Sequence, residues 1–272
     1  MSSQRASRQS FLGDRAEWTF ARAHVAILGL GGGGSHVGQQ LSHIGFSQFS
    51  LSDPDVIDES NLNRLIGGTL GDVERRVPKV EIAARLIRGL QPEADVETMF
   101  GHWEKHADAL CGVDLIFGCL DGYAARRDLE EFARRHLIPL IDIGMDVHRV
   151  AGSAPQISGQ VILSMPGGPC MWCMNYLNAV VLTREAEKYG DAGPRPQVVW
   201  PNGILASAAV GMAVDLLTGW TGRPPPVYLE LDGNSLTLGP PARLELYNLG
   251  APCLHYPIRD VERHGDPVFR RR

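Results

Sequence analysis

With 272 residues, 44% of them hydrophobic, the chain is long enough to bury a full core in one large domain. Its net charge of −5 and pI of about 6.0 exclude a general attraction to nucleic acid or to an acidic membrane surface. Met1 to Arg15 is polar and lacks the apolar segment of a signal peptide. No apolar run reaches the ~18 residues that cross a bilayer, and the longest helical candidate, Ile204 to Leu217, is interrupted by Asp215. Five cysteines with one close pair fit a reducing compartment better than a disulfide framework, so a cytoplasmic location is expected.

Gln4 to Arg22 is a polar, helix-prone lead-in. Val25 to Leu28 then reads as a buried strand, followed by the glycine cluster Gly29 to Gly34 and by helical spacing from Ser35 to Ile44. Such glycines let a backbone approach phosphates, and the helix start after them offers free N–H groups and a positive dipole end. A second strand, Phe46 to Leu51, leads into Asp53-Pro54-Asp55. An acid about 20 residues past the glycines is placed to hold ribose hydroxyls. Ser60-Asn61-Leu62-Asn63-Arg64 and Lys79 come next, the lysine near the start of a helix over Glu81 to Leu90. A cation there opposes the helix dipole, a conflict that a bound phosphate would resolve. Taken singly, Arg64 and Lys79 read as solvated charges. As a set after a strand–glycine–helix–strand unit, they suit an enzyme that breaks a triphosphate.

Val96 to Phe100 and Val113 to Cys119 read as strands three and four, the latter delivering Leu120-Asp121 at its carboxyl end, where ligands sit in open α/β sheets. Asp121 is therefore placed either to meet a metal or to cap the helix Ala124 to His136. Leu137 to Ile143 gives a fifth strand. Beyond Val150 the texture changes to antiparallel candidates at Gln160 to Ser164, Val227 to Leu231 and Ser235 to Leu238, the last two joined by Asp232-Gly233-Asn234. Asn175 to Tyr189 and Leu205 to Leu217 look helical, and Asp191 to Pro201, with three prolines, reads as a loop. The expected fold is α/β: a Rossmann-like nucleotide-binding half over residues 20–150 with a mostly parallel sheet, continued by antiparallel strands over residues 151–258 and flanked by helices. Residues 259–272 are a tail.

The pattern Gly29-x-Gly31-Gly32-x-Gly34, Asp53-x-Asp55, Ser60-Asn61-Leu62-Asn63-Arg64, Pro78-Lys79 and Asp121 resembles the ThiF/MoeB/HesA family, bacterial relatives of the ubiquitin-activating enzymes. The resemblance runs from about Arg8 to His255. It implies a single adenylation domain that uses ATP and Mg²⁺ to activate the C-terminal carboxylate of a ubiquitin-like or small sulfur-carrier protein. It assigns Arg64 and Lys79 to the phosphates, Asp53 and Asp55 to the nucleotide end of the second strand, and Asn61 to phosphate or metal. Gly29, Gly31, Gly32, Gly34 and Leu120 would line the nucleotide, and Asp121 would hold magnesium. Arg8 would reach the other subunit's nucleotide in a homodimer, or belong to a frayed terminus.

Cys170-Met171-Trp172-Cys173 is a CxxC, open to a redox or a zinc reading from its residues alone. The resemblance implies a structural zinc completed by a second pair near the C-terminus. There Cys253 matches the first member while Tyr256 occupies the second, and His255 is the natural substitute; Cys253 as a buried thiol without zinc is the alternative. Family members commonly carry a thioester-forming cysteine on the crossover loop, yet Met174 to Gly203 contains none. The acyl-adenylate would then pass directly to a conjugating enzyme, a sulfur donor or an amine. Activation of a peptide C-terminus, a non-catalytic docking module and an NAD-dependent oxidoreductase are the rival readings.

Overall fold

The computed structural model describes residues 6–148, 152–187 and 196–256. The first parallel strands are β1 (His24–Leu28), β2 (Gln48–Asp53) and β3 (Asp95–Phe100). Strands β4 (Leu115–Gly118) and β5 (Leu140–His148) continue the sheet on the other side of β1, and β6 (Gln156–Ser164), β7 (Tyr228–Asp232) and β8 (Thr237–Gly239) extend it antiparallel. The order in this eight-stranded sheet is β3-β2-β1-β4-β5-β6-β7-β8. The sheet reverses direction of growth between β1 and β4, whose register pairs Leu28 with Gly118. This is the expected Rossmann-like α/β fold with a mostly parallel sheet and an antiparallel continuation.

Both faces of the sheet are covered, which is why its central strands are almost wholly apolar. Along β1, Val25 and Ile27 point into one core with Phe20, Phe46, Leu41 and Ala209, whereas Ala26 and Leu28 point into another with Ile116, Leu129, Met171 and Met174. Eight α-helices are described: α1 (Ala16–Arg22), α2 (Gly32–Ile44), α3 (Leu70–Arg75), α4 (Lys79–Leu90), α5 (Ala107–Leu110), α6 (Tyr123–Arg135), α7 (Ala179–Glu187) and α8 (Val199–Thr218). The first core lies under α1, α2, α4 and α8, and the second under α6 and the CxxC segment.

Several boundaries depart from expectation. α2 begins at Gly32, three residues early, and ends at Gly45, whose φ of 117° terminates it in the left-handed region. β2 starts at Gln48 rather than Phe46, because Phe46 leaves the Gly45 turn to stack on Phe20 at 5.0 Å. β5 begins at Leu140 instead of Leu137, which has a φ of 59°, and runs on to His148. β6 starts four residues early, at Gln156, since pairing with β5 holds it in the sheet, and β8 runs from Thr237 to Gly239. Asn175 is left-handed, so α7 starts only at Ala179.

The expected loop over Asp191 to Pro201 is wrong at its end. Val199 to Pro201 form the first turn of α8, where a proline's missing N–H has no partner to lose; residues 191–195 lie outside the described residues. With α8 extended in this way, one 20-residue helix of mean hydropathy 1.3 is long and apolar enough to cross a membrane, contrary to the expectation that no such run exists. Over half of it is buried here against α2, β5 and β6. The expected tail, 259–272, lies outside the described residues.

Candidate nucleotide site and metal centre

The carboxyl ends of β1, β2 and β4 lie side by side. Gly29 N donates to Ser52 O at 2.8 Å and Cys119 N donates to Leu28 O at 2.8 Å, which sets the glycine turn between Asp53 and Leu120. The four expected glycines divide by physical cause. Gly29 has a φ of 90°, and a Cβ there would stand 2.3 Å from the Cys119 carbonyl oxygen; one on Gly34 would stand 1.9 Å from Gly29 O. A Cβ on Gly32 would meet the Asn202 amide at 2.6 Å. These three are required by protein packing. Gly31, the N-cap of α2, has no neighbour within 4 Å of a Cβ and is the position open to a ligand.

Asp53, the last residue of β2, is buried and ties the cradle together. Its Oδ2 accepts from Leu30 N at 2.6 Å and its Oδ1 from Asp55 N at 2.9 Å. Burial raises its pKa, opposed by the nearby Lys79 ammonium and these two amides. Lys79 opens α4 and is nearly buried, its Nζ 2.8 Å from Asp55 Oδ2, while its own N–H donates to Asp55 O at 3.0 Å. Asp55 therefore answers the conflict with the helix dipole from within the protein, without a phosphate.

Asn61 is buried and its side chain is engaged locally: its Oδ1 accepts from Asp58 N at 3.3 Å in a capping box that starts a 3₁₀ turn. Arg64 is half-buried, and its Nη1 donates to Ser60 O at 2.7 Å and to Asn63 Oδ1 at 2.9 Å. This segment is pinned to the cradle on two sides, by Ile66 N donating to Ser35 Oγ of α2 and by Asn63 Nδ2 donating to Gln197 O just before α8. Asp121 is exposed and does not cap α6, whose N-cap is Gly122. The amides of Tyr123 and Ala124 are held instead by Glu185 of α7.

Arg8 is exposed in the 3₁₀ segment Ala6–Leu12, which Gln9 fastens to Ile44 O at 2.7 Å. That is the far end of α2, roughly 20 Å of helix from the glycine turn of the same chain. Asn202 escaped the sequence reading. It is buried on the first turn of α8, its Nδ2 donates to Val198 O at 2.8 Å, and its amide fills the space left by the missing Cβ of Gly32. Its only signal in the sequence was a polar residue beside Pro201, which looked like loop. Arg126 and Asp142, a buried ion pair under Leu120, were equally invisible.

The second centre joins Cys170, Cys173, Cys253 and His255, whose ligand atoms all lie within 4.8 Å of one another. Sulfur–sulfur separations are 3.6 Å for Cys170–Cys173 and 3.7 Å for Cys173–Cys253. His255 Nδ1 lies 3.5 Å from Cys170 Sγ and 3.4 Å from Cys173 Sγ. A tetrahedron with zinc–sulfur and zinc–nitrogen bonds of the usual length has edges of about 3.8 Å and about 3.6 Å, so the donor set fits such an ion. α6 supports the CxxC from behind. Buried Glu130 accepts from Met171 N at 2.8 Å and from Ser164 Oγ at 2.5 Å, and Arg134 donates to Gly168 O and Pro169 O. Trp172 stacks over His255, and Tyr256, in the place of a second thiol, lies under the Arg134 guanidinium.

A glycine-started helix beside a buried acid at the sheet's switch point, with a grafted thiol–imidazole cluster, defines a Rossmann-like α/β protein carrying a metal-binding group. The chain belongs to the ThiF family, whose profile matches residues 3–249. It is 26% identical over 225 residues to the sulfur carrier protein ThiS adenylyltransferase of Escherichia coli K12, spanning 79% of this chain and 81% of that one. It is 28% identical over 165 residues to the SAMP-activating enzyme E1 of Haloferax volcanii, spanning 60% of this chain and 57% of that one. The chain spans about half the length of several other curated relatives it matches. Among solved structures, E. coli MccB with AMPCPP and MccA superposes with a TM-score of 0.73 at 18% identity, over 88% of this chain and 71% of that one.

Proposed function

We propose that this chain is an ATP-dependent adenylyltransferase acting as one adenylation domain. In this reading a carboxylate oxygen attacks the α-phosphorus of ATP, and the bond to pyrophosphate breaks with the electron pair leaving on pyrophosphate. An α-carboxyl group, with a pKa near ~3.5, is ionised at neutral pH, so no general base is needed and no proton moves. What the protein must do is bring two anions together, which is unfavourable without cations between them. The observation that carries the reading is the convergence at one sheet end of open Gly31, buried Asp53 and the Lys79 ammonium. An oxidoreductase would give Lys79 no role beyond its ion pair with Asp55.

Asp53 and Asp55 would orient the ribose end, Lys79 and Arg64 would grip phosphates, Asn61 would steady the loop beneath them, and Leu120 and Asp121 would face the metal side. A magnesium ion bound at Asp121 would neutralise phosphate oxygens. Zinc suits the Cys170, Cys173, Cys253 and His255 set in number, chemistry and spacing.

The relatives named for ThiS and SAMP support a ubiquitin-like or sulfur-carrier substrate. A peptide C-terminus is the second reading, favoured by the likeness to MccB solved with MccA and by the cysteine-free stretch from Met174 to Gly203. Direct transfer to a conjugating enzyme, sulfur donor or amine, without a thioester on this chain, is supported by Cys119 as well: burial and Asp142 push its thiol far up. The position of Arg8 at the far end of α2 supports a role on a second subunit's nucleotide in a homodimer. Three thiols whose sulfurs lie within 4.8 Å of one another in a metal-ready cluster suit a reducing, cytoplasmic compartment.

The test is ATP–pyrophosphate exchange with candidate carrier proteins and peptides. Lys79→Ala, Arg64→Ala and Asp121→Ala are expected to fold and to lose ~10²–10³ in rate, the usual weight of one transition-state contact. Exchange at the parent rate in all three would refute the proposal.

A further inference from the structure

The corner between β4 and α6 is held from two sides by charged residues. From inside, Arg126 donates through Nη2 to Leu120 O at 2.6 Å, and through Nη1 to Asp142 and to Ile143 O. Both members of this ion pair are buried, so the Leu120 carbonyl rests on a fixed strut. From outside, Glu185 accepts from Tyr123 N through Oε1 and from Ala124 N through Oε2, each at 2.8 Å.

Gly122 makes room for that second grip. Its φ is 91°, and a Cβ on it would stand 2.6 Å from the same Glu185 Oε1. α7 buries no side chain of its own, so Glu185 anchors the helix rather than merely riding on it. Asp121 lies between the two grips, exposed, with Leu120 held on one side and Gly122 to Ala124 on the other.

We propose that Glu185 is a positioning residue for Asp121: by fixing the first amides of α6 it aims the Asp121 carboxylate and so sets the affinity for magnesium-bound nucleotide. This rests on the reading of Asp121 as the magnesium ligand. The physical reason is that Mg²⁺ tolerates little departure from octahedral geometry at ~2.0–2.1 Å, so a carboxylate on a loosened backbone loses affinity quickly. Glu185 does so without presenting free charge to the phosphates, because two N–H groups at the positive end of α6 take up its carboxylate.

The experiment is calorimetric binding of AMPCPP to the full chain across a magnesium titration, for the parent, Glu185→Ala, Glu185→Gln and Asp121→Ala. Glu185→Ala is expected to raise the magnesium concentration for half-maximal binding about tenfold, within the range of one charged cap. Affinity without magnesium should change little, and the melting temperature should fall by no more than the loss of one helix cap brings. Glu185→Gln, which keeps one acceptor oxygen, should fall between the two, and Asp121→Ala should abolish the magnesium dependence. An unchanged magnesium requirement in Glu185→Ala, with that of Asp121→Ala lost, would overturn the inference and leave the adenylation reading standing. Equal weakening with and without magnesium, alongside a lower melting temperature, would reduce Glu185 to a structural cap and also overturn it. Parent binding that ignores magnesium would sink the reading of Asp121 and the inference with it.

Discussion

The cradle around Gly31 and the cluster around Cys173 both present donors to a charged guest, but the chain assembles them differently. The cradle comes from neighbouring stretches, with Leu30, Asp53, Asp55 and Lys79 all within 50 residues and delivered by strands that pair side by side. Its charges grade toward solvent: Asp53 is buried, the Lys79 side chain is 10% exposed and its partner Asp55 61%. The cluster instead joins ligands 80 to 85 residues apart and rests on the buried charges of α6. The difference teaches that a charge pair open to solvent at one member, as Asp55 is, contributes little stability. The cluster is braced instead by buried groups of α6, Glu130 through Oε1 and Arg134 through its guanidinium.

That contrast can be broken most severely at α6, which serves both regions. Arg126→Met leaves Asp142 buried without its partner and should cost about 3–5 kcal/mol in urea unfolding. Adding Asp142→Leu should recover much of that loss; a double variant as unstable as the single one would contradict the account. Next come the glycines of the cradle. Gly34→Ala drives a methyl into Gly29 O and should cost about 3 kcal/mol. Gly31→Ala should keep stability within ~0.5 kcal/mol while weakening ATP at least tenfold by calorimetry, because its space is open to the ligand rather than to the protein.

On the cluster side, Glu130→Ala removes the acceptor of Met171 N and Ser164 Oγ. Metal affinity, measured by competition with a chromophoric chelator, should fall ~10–100-fold while nucleotide binding holds. The smallest effect expected is on pH dependence. Burial lowers the pKa of His36, on α2 beside Gly203, below its ordinary 6.5. The unfolded chain therefore binds more protons than the folded one as pH drops through that range, and stability falls with it. His36→Asn should flatten the slope of melting temperature against pH below about 6.5; an identical slope would show that the ring is not held neutral.

Wherever a signal was local, it could be read ahead of the fold. The apolar runs of β1 and β4, the glycine turn, Asp53 at the end of β2 and the CxxC each depend on a few consecutive residues whose backbone needs are written in their types. Pro201 misled because a proline breaks a helix only in its interior; three residues into α8 it removes an N–H that had no helical partner. Asn61 was assigned to a ligand, while its side chain also has a local post in a capping box. Arg126 and Glu185 gave no signal, and Asn202 only a misleading one, since each acts on backbone reached only when distant segments meet: Leu120, the start of α6 and Gly32.

By itself the sequence determined the α/β class, the place of the glycine turn and its acid, and the CxxC pair, because periodicity and residue chemistry act over short distances; Cys253 and His255 were added to that pair only by the family resemblance. Only the tertiary structure decided which glycine stays open, that Asp55 rather than a phosphate answers Lys79, and that Asp121 is held between Arg126 and Glu185. Those outcomes depend on distances between groups far apart along the chain, and packing alone sets such distances.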